Sequence, residues 1–201
     1  MRLVMMRHGA TAGNEEHRYV GKRTDEQLSV VGRAQCARAC VPVTEPVSVV
    51  YASPLLRARQ TAGLCFPEAR VVALAGLEEF DFGVFEGRTA QQMEHDADYR
   101  TWVQGNCMGE CPGGESWKAF RTRSNAALLD LLGNELTRDV REVVVVAHGG
   151  TIMAALGTFT KDGDSQSPFQ WHADNCCGYV ANVAACEQGF LFEDIYPFGR
   201  P

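Results

Sequence analysis

Two arginines, two histidines and a carboxylate in this sequence sit where they could receive and transfer a phosphoryl group. "MRLVMMRHGATAGN" runs from Leu3 to Met6 as an apolar stretch and then stops at Arg7 and His8. "VVVVAHGGT" places His148 directly after a second apolar stretch, and "ASPLLRARQTA" puts Arg57 one turn into a helical pattern. "LEEFDFGVFEG" supplies Glu78 and Glu79. Taken singly, such residues are ordinary: a histidine after a strand is commonly a satisfied polar group, and an arginine in a first turn is commonly solvated. Two guanidinium groups brought to one rim repel each other unless an anion lies between them, and a phosphoryl dianion matches their planar donor forks. The same cations favour a neutral imidazole, the form that can attack phosphorus. A carboxyl group with a raised pKa could then protonate the departing oxygen. Gly9 and Gly149 each follow one of the histidines, where the lack of a Cβ allows a sharp turn and a close backbone approach to an anion.

These residues share a rim only if the elements between them are arranged to bring them there. Leu3 to Met6, Val47 to Ala52, Arg70 to Leu74, Val143 to Ala147 and Tyr179 to Ala184 read as strands, with a weaker one at Phe190 to Ile195. Helical patterns lie between them: from a Ser29 cap to about Cys40, from Pro54 to about Phe66, from a Ser116 cap through Leu131, and after Gly150. Continuous apolar strands alternating with helices predict an α/β fold, a three-layer α/β/α sandwich around a mainly parallel sheet. In such sheets ligands bind beyond the carboxyl ends of the strands, which is where Arg7, His8 and His148 fall. One domain over residues 1–201 is expected, with an insertion or lid at about 85–116, where periodicity weakens before "CPGGES".

The bulk composition narrows the partners. The 201 residues are 45% hydrophobic, enough for a core without disulfide staples, and the net charge of −6 argues against a general affinity for nucleic acid or anionic membranes. No stretch reaches the roughly 18 to 20 apolar residues of a membrane span, and no signal peptide is recognisable, so a soluble cytoplasmic protein is expected. The eight cysteines do not form a disulfide framework. Cys107 with Cys111, or His172 with Cys176 and Cys177, lack the paired spacing of a zinc site, so reduced thiols and no metal are expected.

In "RHGATAGN", "GKRTDEQLSVVGRAQ", "SPLLRARQTA", "LEEFDFGVFEG" and "AHGGT", taken in order, the chain resembles the histidine phosphatase superfamily, the phosphoglycerate mutase-like phosphatases. Within it, "DFGVFEG", the short span to "PGGES" and the overall length look most like bacterial α-ribazole phosphatases, which remove phosphate from the nucleotide-loop precursor of cobalamin. The resemblance implies that His8 becomes phosphohistidine, with Arg7, Arg57 and His148 around the phosphoryl oxygens and Glu79, not Glu78, as proton donor. It also implies a phosphate contact from Asn14, a substrate-side segment at Val20, Gly21 and Lys22, and no cofactor. Many members carry an acidic residue after the RHG triplet; this chain has Ala10, which removes one brace for the His8 loop. A protonated His148 is expected when substrate is bound.

The implied activity is metal-independent hydrolysis of a small phosphorylated metabolite, with α-ribazole 5'-phosphate as the specific substrate and aromatic residues such as Trp102 and Trp117 available to stack on a flat base. The alternatives are a mutase-type phosphoryl transfer, a broad-specificity sugar or metabolite phosphatase, a phospholigand-binding protein without turnover, and a metal-dependent hydrolase using Asp81, His95 and Asp96. Mutases of the family carry a longer segment between the acid motif and the last strand. The sequence leaves the oligomeric state open, a homodimer included.

Overall fold

Successive residues of a strand face opposite sides, so a strand that is apolar throughout has to be covered on both. The computed structural model describes residues 1–161, 167–186 and 189–199. Strands β1 (Arg2–Arg7), β2 (Val49–Ala52), β3 (Arg70–Ala73), β4 (Glu142–Ala147), β5 (Gly178–Cys186) and β6 (Gly189–Phe198) form one sheet in the order β3-β2-β4-β1-β5-β6. The first four strands of that order run parallel, and β5 pairs antiparallel with both β1 and β6.

The described helices are α1 (Ala12–Glu15), α2 (Val30–Arg38), α3 (Leu56–Cys65), α4 (Ala97–Gln104), α5 (Trp117–Thr137) and α6 (Gly149–Phe159). Leu3, Met5, Val143 and Val145 face α5 and α6, packing on Leu128, Leu132, Ile152 and Leu156. Val4, Met6, Val144 and Val146 face the other way, onto Cys36 of α2 and Ala58 and Ala62 of α3. The result is the three-layer α/β/α sandwich with a mainly parallel sheet that the sequence predicts.

Element boundaries follow local chemistry. Ser29 and Ser116 cap α2 and α5, their side chains accepting from Gly32 N–H and Ala119 N–H. Helix α3 begins at Leu56, two residues after Pro54, and has no side-chain cap of its own. Asp25, distant in sequence, accepts the Leu56 N–H at 2.6 Å instead. Helix α6 begins at Gly149, directly after His148.

Helix α4 was not legible as a helix. Asp96 caps it by accepting from Asp98 N–H and Tyr99 N–H, and its buried face is only Tyr99 and Trp102. Around it, within the segment expected as an insertion or lid, Phe85, Met93, Tyr99 and Trp102 form an aromatic-rich cluster with Phe80 and with Phe120 of α5. The rings meet edge-on in several pairs, such as Phe85 and Tyr99 at 5.5 Å. The segment therefore has an apolar core of its own, joined to the main body through Phe120.

Candidate active site

The register of β1 with β4 sets Arg7 opposite Ala147, so His8 and His148, each one residue beyond, emerge side by side. The His8 N–H donates to the Ala147 carbonyl at 3.0 Å, and the two ring centroids are 5.1 Å apart at 65°. His8 is 3% exposed, and His148 and Arg57 are fully buried.

The His8 tautomer follows from its surroundings. Nδ1 lies 2.7 Å from the Gly9 carbonyl oxygen, which can only accept, so Nδ1 carries the proton and Nε2 the lone pair. Arg57 Nε–H donates to that Nε2 at 3.2 Å. The rest of the Arg57 guanidinium is held by main-chain carbonyls, Thr24 at 2.7 Å and Gly21 at 3.1 Å, with Val20 at 3.5 Å. The segment at Val20 and Gly21 thus reaches the site by its carbonyls. Lys22 is exposed and contributes a main-chain N–H to the Phe80 carbonyl.

Burial pushes the His8 imidazole well below its ordinary range, and Arg57 and Arg7 push it further; the Gly9 bond opposes them weakly. His148 is pushed well below in the same way, by burial and then by Arg57, His8, Arg7 and Arg123. Both rings are neutral near pH 7. The protonated His148 expected with substrate would therefore have to be induced by the dianion. His148 Nε2 lies 2.7 Å from the Ser53 hydroxyl, and its buried Nδ1 has no hydrogen-bond partner among the described residues. Arg7 repeats this pattern: Nη1 donates to the Ala173 carbonyl at 2.8 Å, while its buried Nε has no such partner. Buried polar groups are seldom left without partners, and two such atoms beside His8 suit an anion that would take both.

Glu78 and Glu79 part company. Glu78 turns back to accept the Gly76 N–H at 2.8 Å. Glu79 accepts from its neighbour Phe80 N–H at 2.9 Å and from Gly150 N–H, at the start of α6, at 3.2 Å. Burial raises the Glu79 pKa, against the lowering effect of those two N–H groups and of Arg57 and Arg7. Arg7 and Glu79 line a cavity of about 260 Å³ together with Tyr19, Phe80, Phe82, Trp102, Trp117 and Met153. His8, Arg57 and His148 are buried and do not line it; Arg7 and Arg57 link the two, since their charges act on both His8 and Glu79. A more open polar cleft lies on the other side of Arg7, lined by Asn14, Arg18 and Asn175.

The His8 loop is braced without an acidic residue at position 10. Gly9 N–H donates to Thr61 Oγ1 and Ala10 N–H to Gln35 Oε1, both at 2.9 Å. Asn175 Nδ2 donates to the His8 carbonyl at 2.9 Å, and Cys176 N–H to the Arg7 carbonyl at 3.0 Å. Asn14 contributes a capping box for α1 with Thr11, and its Oδ1 faces Asn175 Nδ2 at 3.4 Å. A Cβ at Gly9 would press on the Gly32 carbonyl at 2.8 Å, so this glycine is needed for close packing. Gly149 differs, because a Cβ there would meet Arg7 only at ordinary contact distance; it is at Gly150 that a Cβ would overlap Glu79.

Sequence reasoning missed Ser53, Thr61, Gln35, Asn175, Gly150 and Arg123. Thr61 carried a signal, since it stands four residues after Arg57 on one helix face. The others come from segments whose approach depends on tertiary packing. Among the described residues, no group of three or more His, Cys, Asp or Glu side chains could hold a metal ion, and no helix is long and apolar enough to cross a membrane.

The chain belongs to the histidine phosphatase superfamily (branch 1), whose family model it matches over residues 3–192. It is an enzyme of the phosphatase type that this family defines. Over 77% of its length it is 36% identical to 2,3-bisphosphoglycerate-dependent phosphoglycerate mutase 2 of Gloeobacter violaceus, covering 73% of that protein. Over 74% it is 32% identical to an acid phosphatase of Mycobacterium tuberculosis, covering 70% of that chain. Among solved structures, the α-ribazole phosphatase of Shigella flexneri superposes with a TM-score of 0.72 at 21% identity, over 96% of this chain and 95% of the other, a likeness of fold.

Proposed function

We propose that this protein is a metal-independent phosphomonoesterase that passes the phosphoryl group through His8. The observation that carries the reading is the Nδ1 bond to the Gly9 carbonyl, which presents an unprotonated Nε2 among two guanidinium groups. Nε2 attacks phosphorus as the P–O bond to the leaving group breaks, and Arg57 exchanges its bond to Nε2 for one to a phosphoryl oxygen. Arg7 and His148 offer their unpartnered nitrogens to the other oxygens. With the Ser53 hydroxyl donating to Nε2 of His148, the ring proton sits on Nδ1, and His148 donates as a neutral ring. Glu79, whose pKa is raised by its burial, gives its proton to the departing oxygen. Its carboxylate then takes a proton from the water that cleaves the phosphohistidine, releasing phosphate and restoring neutral His8.

For the substrate we propose a phosphate ester of a bulky, largely uncharged alcohol, with α-ribazole 5'-phosphate as the specific candidate. The cavity beside Glu79 is walled by Tyr19, Phe82, Trp102 and Trp117, and among the described residues Arg7 is the only arginine or lysine lining it, with His172 as its one histidine. A phosphoglycerate would bring a second anion, a carboxylate, to a wall whose basic side chains, among the described residues, are only Arg7, engaged by the phosphoryl group, and His172, which disfavours the mutase reading. The setting in this reading is the reducing cytoplasm, in keeping with eight cysteines outside any disulfide.

Quenching turnover in base and mapping the protein by mass should place one phosphoryl group on the His8 peptide. A label found elsewhere, or undiminished hydrolysis by His8→Ala, overturns the reading. Preference for 3-phosphoglycerate over α-ribazole 5'-phosphate in kcat/KM overturns the substrate assignment alone.

A further inference from the structure

We propose that Arg123 and Glu115 form a positioning pair that sets Glu79 for proton transfer, a role that rests on the reading of Glu79 as proton donor. A guanidinium group carries five N–H donors in a fixed planar fork. In Arg123 all are engaged. Nη1 donates to the carbonyls of Gly76 at 2.8 Å and Glu78 at 2.9 Å. Nη2 donates to the Glu79 carbonyl at 2.9 Å and to Glu115 Oε1 at 2.6 Å, and Nε donates to Glu115 Oε2 at 3.0 Å. The Phe120 ring lies 5.0 Å from the guanidinium carbon and fixes its plane from one side.

Glu115 completes the clamp beyond Glu79. Its Oε1 also accepts the Asp81 N–H at 2.8 Å, and its own N–H donates to the Asp81 carbonyl at 3.0 Å. The main chain on both sides of Glu79 is therefore tied to one ion pair, in a stretch with no regular secondary structure to hold it. The carboxyl group itself is fixed by Phe80 N–H and Gly150 N–H, so the path of the main chain decides how far it reaches toward the leaving oxygen.

With every donor spent on the loop and on Glu115, Arg123 acts through Glu79 and has no N–H left for a phosphoryl oxygen. Its charge is largely balanced by Glu115, so the pair fixes the loop with little electrostatic penalty on a protonated Glu79. A lysine at 123 would keep the charge but lose the planar fork. Misplacement of a catalytic group by about 1 Å can cost on the order of 10²-fold in rate.

The test compares kcat/KM, which reports the steps up to phosphohistidine formation, for two esters. The 4-nitrophenolate leaving group departs without a proton, whereas a simple alkoxide needs one. Arg123→Lys should lose roughly 10- to 100-fold on the alkyl phosphate and change much less on the aryl one. Glu115→Gln should lose in the same sense, and it decides the matter should Arg123→Lys fail to fold. Equal losses on both esters, with Glu79→Gln showing the selective loss, overturn the positioning role. A Glu79→Gln enzyme without selective loss overturns the acid assignment, and this proposal with it.

Discussion

Gly150 stands directly against the carboxyl group of Glu79: its N–H donates to Oε2 at 3.2 Å, and a methyl group on its Cα would overlap Oε1. The severe overlap is with the far end of a flexible side chain, so the fold can absorb an alanine there by moving the carboxyl group, with the edge of the Phe120 ring, 3.1 Å from the new methyl, giving way by a few tenths of an ångström. Gly150→Ala should therefore reduce kcat/KM for alkyl phosphates by roughly 10- to 100-fold while leaving the thermal midpoint within a few degrees. Gly149→Ala meets Arg7 only at ordinary contact distance and should keep most of the activity. Steady-state kinetics and thermal unfolding of the two variants check this; indistinguishable kinetics for them would refute it.

Removing the nucleophile or the acid should have separable consequences. His8→Ala should lose about 10³-fold or more of the activity on every ester, because it removes the lone pair that the Gly9 carbonyl and Arg57 hold in place at Nε2. Glu79→Gln should lose roughly 10²- to 10⁴-fold on alkyl esters, with the smaller losses on aryl ones. Parallel losses of equal size across a leaving-group series would contradict the division of roles.

The pH dependence of kcat/KM has a definite sense. Glu79 must be protonated to act as acid, and burial moves its pKa upward, so activity should decline on the alkaline side of that raised value. His8 must be neutral, and it is held well below the ordinary imidazole range, so its protonation gives no acid limb near pH 6.5, and a limb near about pH 6 belongs to the second ionisation of the substrate phosphate. Glu79→Gln should abolish the alkaline limb, and a limb that persists there belongs to another group.

Stability should fall in mild acid. The two buried imidazoles titrate below their unfolded value of about 6.5, so beneath that pH the unfolded chain binds protons that the folded protein does not. Each ring then removes up to about 1.4 kcal/mol per pH unit until its folded pKa is reached. Glu79 works in the opposite sense: being raised, it favours folding at low pH, and that contribution is lost as pH rises through its folded value. Urea unfolding at pH 7.5 and 5.5 should show the net loss in acid, and His148→Asn should reduce it; the same stability at both values would dispose of the argument.

The sequence alone determined the strands, because Val143 to Val146 are apolar on both faces and only a sheet covered on both sides hides them. It also fixed that Arg7, His8 and His148 end neighbouring strands, and the superfamily motifs carried Arg57 and Glu79 to the same rim. Helix α4 escaped notice because its buried face is just Tyr99 and Trp102, too few residues for a period to declare itself.

Tertiary structure decided which atoms of those residues face one another. Which nitrogen of His8 is free depends on the turn of the Gly9 carbonyl, and the separation of Glu79 from Glu78 depends on Gly150 and Arg123, which lie 71 and 44 residues from Glu79. A hydrogen bond needs heavy atoms within about 3 Å and suitable angles. Residue types and spacings can bring partners to the same rim, but only the packed chain sets distances and directions of that size.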